Sequence, residues 1–194
     1  MQVVTPTTPA PVPVQDPAMT DPKLTEIRTR ARGMQLSKSE SVEKQLESSS
    51  KRVDTEAARL GDIPVRDRLA AEFGVTPEAL TAQREQFGMG WGELMIAHTL
   101  LANVEGVTIE QLHLLRKEGL GWGQLAYGVQ LNTSGFVTAV KNEVSVARGT
   151  AKPDGKPAVV VSTAKVTSKG STNSKGEVTP PPASSSVNQP PTLK

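Results

Sequence analysis

Two stretches of this chain repeat each other. Val75, Thr76, Pro77, Glu78, Ala79 and Leu80, on to Arg84, align with Val107, Thr108, Ile109, Glu110, Gln111 and Leu112, on to Arg116, at an offset of 32 residues. The run Gly88, Met89, Gly90, Trp91, Gly92, Glu93, Leu94 aligns with Gly119, Leu120, Gly121, Trp122, Gly123, Gln124, Leu125 at an offset of 31. The chain holds only two Trp, and each falls at the same place in its unit, so the sequence reads as one helical pattern used twice. Two units are too few for a solenoid and suit a pseudo-symmetric helical pair.

Each unit has a physical reading. Thr76 and Thr108 are N-cap residues, Pro77 sits at a first helical position, and Thr108 with Gln111 makes a capping box. Gly88 and Gly119 supply the left-handed turn that stops each helix, and Met89 or Leu120 closes an apolar contact across it. Trp91 and Trp122 then open second helices, expected over residues 91–104 and 122–129, with flanking glycines that let the ring lie against neighbouring backbone. A helix is expected over 64–73 before the pair, and another over 132–147 after it. The latter turns Phe136, Val137, Val140 and Val144 inward and stops at Gly149. All six aromatics, Phe73, Phe87, Trp91, Trp122, Tyr127 and Phe136, fall in this window, which places the core there. The expected fold is all-α, a small duplicated helix-turn-helix-like bundle over residues 62–149.

Upstream, Asp21 and Pro22 form an N-cap and first helical position, with Leu24, Ile27, Ala31 and Met34 at helical spacing and Gly33 as stop. Ser37 and Glu40 have capping-box spacing and precede a thin stripe of Val42, Leu46, Val53, Ala57 and Leu60, interrupted by Ser48, Ser49 and Ser50. Residues 21–61 therefore read as an amphipathic helical arm. The 37–60 helix needs a surface: the middle domain, a partner helix or a copy of itself. Residues 1–20 are a Pro/Thr-rich disordered tail that resembles a mature terminus restarted with Met, a plain tail on an intracellular protein being the alternative. Residues 150–194 read as a disordered Lys/Ser/Pro-rich tail, in which Ala158 to Val161 could add a β segment to a partner.

Net charge is +1 over residues 1–61, −3 over 62–149 and +4 over 150–194, so the presumed folded part is acidic. The chain has no Cys, which removes disulfides, thiol catalysis and Cys-based zinc sites together. No apolar run approaches the ~18 residues of a membrane span. His98 and His113 stand at non-equivalent positions and read as exposed helix-surface residues. Ser134 lies far from Asp62 and Asp67 in a context unlike a nucleophile elbow. The glycine clusters follow no strand and carry no phosphate-loop Lys. No cofactor, metal site or reaction is expected. Trp91 and Trp122 read as core wedges; the functional alternative is a groove between the units, floored by both indoles and edged by Gly88, Gly119, Met89 and Leu120. Arg28, Arg30 and Arg32 read as a solvated helix face.

Gln111 to Leu115, Gly119, Trp122 to Ala126, Leu131, Asn132, Phe136 and Val137 resemble the helix-turn-helix pattern of transcription factors and resolvases. That resemblance makes Thr133, Ser134, Lys141, Asn142 and Arg148 the candidate nucleic-acid contacts. Gln130 stands where the tight turn usually has Gly. The charge census argues against DNA binding, since tight binding commonly uses about six or more phosphate contacts. The Gly-Trp-Gly-(Glu/Gln) segments resemble a family of bacterial proteins, many exported, with tandem GWGxIA segments after a charged helical region. This implies a helical domain in the periplasm or cell exterior, with no reaction; a cytoplasmic location is the alternative. The expected function is a non-enzymatic exported or envelope-associated interaction or structural protein, meeting a protein partner or itself through the 37–60 helix. A helix-turn-helix DNA-binding regulator is the alternative, and a hydrolase with an unrecognised site a distant third.

Overall fold

The computed structural model describes residues 21–160, and these form eight helices with no strand among them. The tail expected over 1–20, and the part of the tail expected over 150–194 that follows residue 160, lie outside the described residues. In chain order the elements are α1 (Pro22–Arg32), α2 (Leu36–Leu60), α3 (Asp62–Phe73), α4 (Pro77–Phe87), α5 (Trp91–Leu101), α6 (Ile109–Lys117), α7 (Trp122–Gly128) and α8 (Thr133–Ala147). No described helix is long and apolar enough to cross a membrane.

The spine is α2, which packs on α3, α5, α7 and α8, while α1 lies along α7. Its stripe of Val42, Leu46, Val53 and Ala57 is buried inside the same chain, so the segment expected as an arm is part of the body. The three serines do not weaken that stripe as expected. Ser49 and Ser50 are buried, and the Ser49 hydroxyl donates to the Gln45 carbonyl at 2.9 Å. The expected Ser37/Glu40 capping box does not form, because the helix is capped two residues earlier: Gln35 is the cap, without a side-chain cap bond, and Ser37 is already inside the first turn.

The remaining punctuation follows local chemistry. Asp21 accepts from the Lys23 N–H at 2.8 Å and Thr76 accepts from the Ala79 N–H at 3.2 Å. Thr108 and Gln111 exchange both bonds of a capping box, at 3.4 and 3.0 Å. Gly88 and Gly119 turn left-handed at φ 63° and 90°, so the N–H of the following residue reaches back into the last helical turn and closes it. Met89 donates to the Arg84 carbonyl and Leu120 to that of Leu115, both at 3.2 Å. Met89 and Leu120 are buried there. The helices after them stop earlier than expected, at Leu101 and Gly128. Of the aromatics, Trp91, Trp122 and Phe136 are buried, Phe73 and Phe87 are partly buried, and Tyr127 is exposed.

Downstream of α8 the packed chain runs on to Val160, past the boundary expected at residue 150. The Lys, Pro and Gly of this segment conceal main-chain contacts that composition does not encode. Leu46 is fully buried at the centre of α2, whereas Leu36 at its start is 78% exposed. Leu46→Ala should therefore lower the unfolding free energy by about 3 kcal/mol in urea titration, and Leu36→Ala by less than about 0.5 kcal/mol.

Candidate functional site

The Gly-Trp-Gly segments sit where α5 and α7 start against α2, and each glycine has a separate steric task. A Cβ on Gly92 would stand 2.5 Å from Ser50 Cα, and one on Gly123 would stand 2.6 Å from Val42 Cγ1. The second glycine of each segment thus admits the body of α2. The first admits a carboxylate from α2: a Cβ on Gly90 would fall 2.8 Å from Asp54 Oδ1, and one on Gly121 would fall 2.5 Å from Glu43 Oε2. Those carboxylates accept from the otherwise unpaired amides at the helix starts, Asp54 from the Gly92 N–H and Glu43 from the Gly123 N–H, both at 3.0 Å. Negative charge at a helix N-terminus is favourable, and in both junctions it is supplied from another helix. Glu43 and Asp54 are 11 residues apart, close to three turns, so they share one face of α2 about 16 Å apart along its axis.

Between the glycines the tryptophans point into the body, at 2% and 3% exposure, and an arginine covers each ring. Arg84 Cζ lies 4.7 Å from the Trp91 ring centre and Arg116 Cζ 5.0 Å from that of Trp122. Both indole N–H groups are buried without a hydrogen-bond partner. Both tryptophans are thus buried, as the core-wedge reading expects, and in place of the alternative groove floored by both indoles Trp122 borders a cleft of about 190 Å³, lined also by Glu43, Glu47, Ser50, Glu93 and Arg116. Arg116 crosses it, meeting Glu43 of α2 at 3.4 Å and Glu93 of α5 at 3.2 Å, so one guanidinium joins both units to the spine. Gly88, Gly119, Met89 and Leu120 belong to the turns and not to a shared groove.

Of the candidate nucleic-acid contacts, Ser134, Lys141, Asn142 and Arg148 are exposed on one side of α8, and Thr133 is not. Nine of the fifteen residues of α8 are buried, Thr133 among them. Ser134 and Asn142 are exposed, Lys141 donates to Gln45 Oε1 at 3.1 Å, and Arg148 lies 4.0 Å from Glu56. Gln130 takes a left-handed φ of 64°, the glycine-like conformation that such a turn uses. Of the arginines expected as a solvated face, Arg32 is exposed, whereas Arg28 makes two bonds of 2.6 Å to Glu118, holding α1 to the end of α6. That hydrogen-bonded pairing keeps the Glu118 carboxyl below its ordinary range.

Neither histidine is a bare surface residue. His98 is buried, its Nε2 2.7 Å from Gln83 Oε1 and its ring stacked 5.2 Å from that of Phe73. Burial pushes its pKa down to about 4. His113 lies against Phe87 at 5.1 Å, and partial burial lowers it as well. Burial also raises Glu143 to about 6; its Oε2 is buried without a partner. No group of three or more His, Asp or Glu among the described residues is placed to hold a metal. Residues that sequence patterns did not single out are Glu43 and Asp54, and Ser50 was read only as a gap in the stripe. Their signal was the three-turn spacing of two acidic residues on a helix whose centre is a pair of small side chains. Compared with family models, curated proteins and solved structures, the chain matches none.

Two outcomes follow from this geometry. Gly92→Ala should cost about 3 kcal/mol in chemical denaturation despite the better helix propensity of Ala, because Ser50 main chain occupies the space. Gly88→Ala, with open space but a left-handed φ, should cost only about 1–2 kcal/mol. His98 is held neutral in the folded state, so its contribution is fully present above its unfolded value near 6.5 and is lost as pH falls toward 4. His98 should contribute a loss of up to about 3 kcal/mol over that window, opposed there by Glu143, whose raised carboxyl favours the folded state as pH falls; the His98 part is read as the difference between the unaltered chain and His98→Gln in urea titrations at a series of pH values.

Proposed function

We propose that the chain is a non-catalytic interaction or structural protein acting outside the cytoplasm. On this reading the Gly-Trp-Gly units are one motif used twice to clamp both halves of a rigid helical body onto a single spine. The observation that carries the reading is the employment of the motif residues: both Trp, four Gly, Glu43, Asp54 and Arg116 are engaged in closing the body. A body so preorganised loses little entropy when a partner docks. The face it offers beside the motif is the cleft of Glu43, Glu47 and Glu93 around Arg116, which suits a basic segment of a protein partner. The placement outside the cytoplasm rests on the resemblance to the tandem GWGxIA proteins.

A photo-crosslinking residue in place of Glu47, in the full chain and in the cells that produce it, should give one discrete protein adduct that Glu93→Lys abolishes. Fractionation should find the chain with exported proteins. A chain confined to the cytoplasm, without an adduct and retarding mixed duplex DNA at about 50 mM salt, would replace this reading with that of a DNA-binding regulator.

A further inference from the structure

After α8 the chain turns at Gly149 and runs back over α8, α3 and the end of α5 without regular secondary structure. What holds it is a set of side chains aimed at its main chain. Glu72 Oε2 accepts from the Asp154 N–H at 2.9 Å, and Glu143 Oε1 accepts from the Ala158 N–H at 2.8 Å. The Asn103 amide engages two positions at once, donating to the Ala158 carbonyl at 2.9 Å and accepting from the Val160 N–H at 2.6 Å. An amide that bridges a C=O and the N–H two residues on reproduces the pairing a neighbouring strand would give. Glu72 and Glu143 are 4% and 1% exposed, and burying carboxylates is unfavourable unless they are hydrogen-bonded; the bonds they make across this seam are to the main chain of residues 154–158.

Side-chain contributions from the segment are few. Val160 is buried against Gly135, where a Cβ would come within 3.1 Å of Val160 Cγ1, while Val159 between the two anchored residues is 88% exposed. Pro153 and Pro157 favour extended backbone on either side of the Asp154 turn. Lys152 and Lys156 border the same cleft as Glu72, Glu143 and Asp154. The helical core closes without any of this segment except Val160 and the partly buried Ala158.

We propose that the channel between α3, α5 and α8 is a binding site for an extended peptide, occupied by residues 154–160 as an intramolecular ligand. A partner segment of the same chemistry displaces them: a basic residue, Pro, a small residue, any residue, then Val or another β-branched residue. Recognition largely through main-chain groups makes such exchange feasible, since only Val160 and the small Ala158 pack on the core. This channel is separate from the cleft around Arg116.

The test uses the full chain with Val160→Asp, which removes the apolar anchor, and a fluorescent peptide of residues 152–160. In hydrogen exchange the amides of residues 154 and 158 should lose protection at least tenfold while those of α2 keep theirs. The peptide should bind this variant at least tenfold more tightly than it binds the unaltered chain, whose own strap competes at an effective concentration on the order of millimolar. Adding Asn103→Ala should abolish binding, and a scrambled peptide should not bind. Asn103→Ala alone, which leaves the apolar anchor in place, is a second opening variant and should deprotect the same amides. Deprotected strap amides with no peptide binding to the Val160→Asp chain would overturn the proposal. So would strap amides that stay protected in both variants.

Discussion

The contact on which the rest of the molecule depends is the approach of α5 and α7 to α2 at Gly92 and Gly123, so close that no Cβ fits. Helix axes normally stand 8–10 Å apart because side chains hold them there. Removing those side chains brings backbone amides within reach of carboxylates on the opposing helix, and Asp54 and Glu43 bond to them. Steric access and polar satisfaction are thus one device. A glycine near a helix start is unfavourable by roughly 1 kcal/mol in propensity, and the close packing it permits, with a cap from another helix, more than offsets this.

From that device the architecture follows. Both clamps fall on one face of α2, which makes a long polar helix the spine of the body instead of an appendage. The turn that brings the chain into each clamp ends in a buried Met89 or Leu120, and the tryptophan between the glycines is covered by Arg84 or Arg116. The two junctions then diverge. Arg84 turns outward to Asp62 at 3.1 Å, whereas Arg116 turns inward to Glu43 and Glu93 and links the units. Gln124 caps its own helix through the Gly121 N–H at 2.9 Å, while the corresponding Glu93 is the partner of Arg116. On the far side α1 is drawn onto α7 at Gly128, where a Cβ would meet the Ile27 carbonyl at 2.6 Å, and the Arg28 to Glu118 pair fastens it.

Helix punctuation was legible, apart from the start of α2, because it is local: Thr76, Thr108, Gly88 and Gly119 act on their own few residues, and the all-α class follows from their spacing. The destination of α2 was not legible. Its stripe is thin and its serines resemble defects until the glycines of α5 and α7 are set against them, a relation between positions about 40 and 80 residues apart. The buried state of His98 was hidden for the same reason, since its partners Phe73 and Gln83 lie on other helices. The strap was least legible: Lys, Pro and Gly are the composition of a tether, and the groups that hold it are three side chains of the body acting on its main chain.

Native-state hydrogen exchange across α2 tests the central claim most directly. If α2 is the spine, the amides of Leu46 and Val53 exchange only through global unfolding, with the same free energy as the innermost amides of α5 and α8. If those α2 amides exchange through a smaller opening while α5 and α8 stay protected, α2 is an arm laid on a body that stands without it, and its role as the spine is refuted.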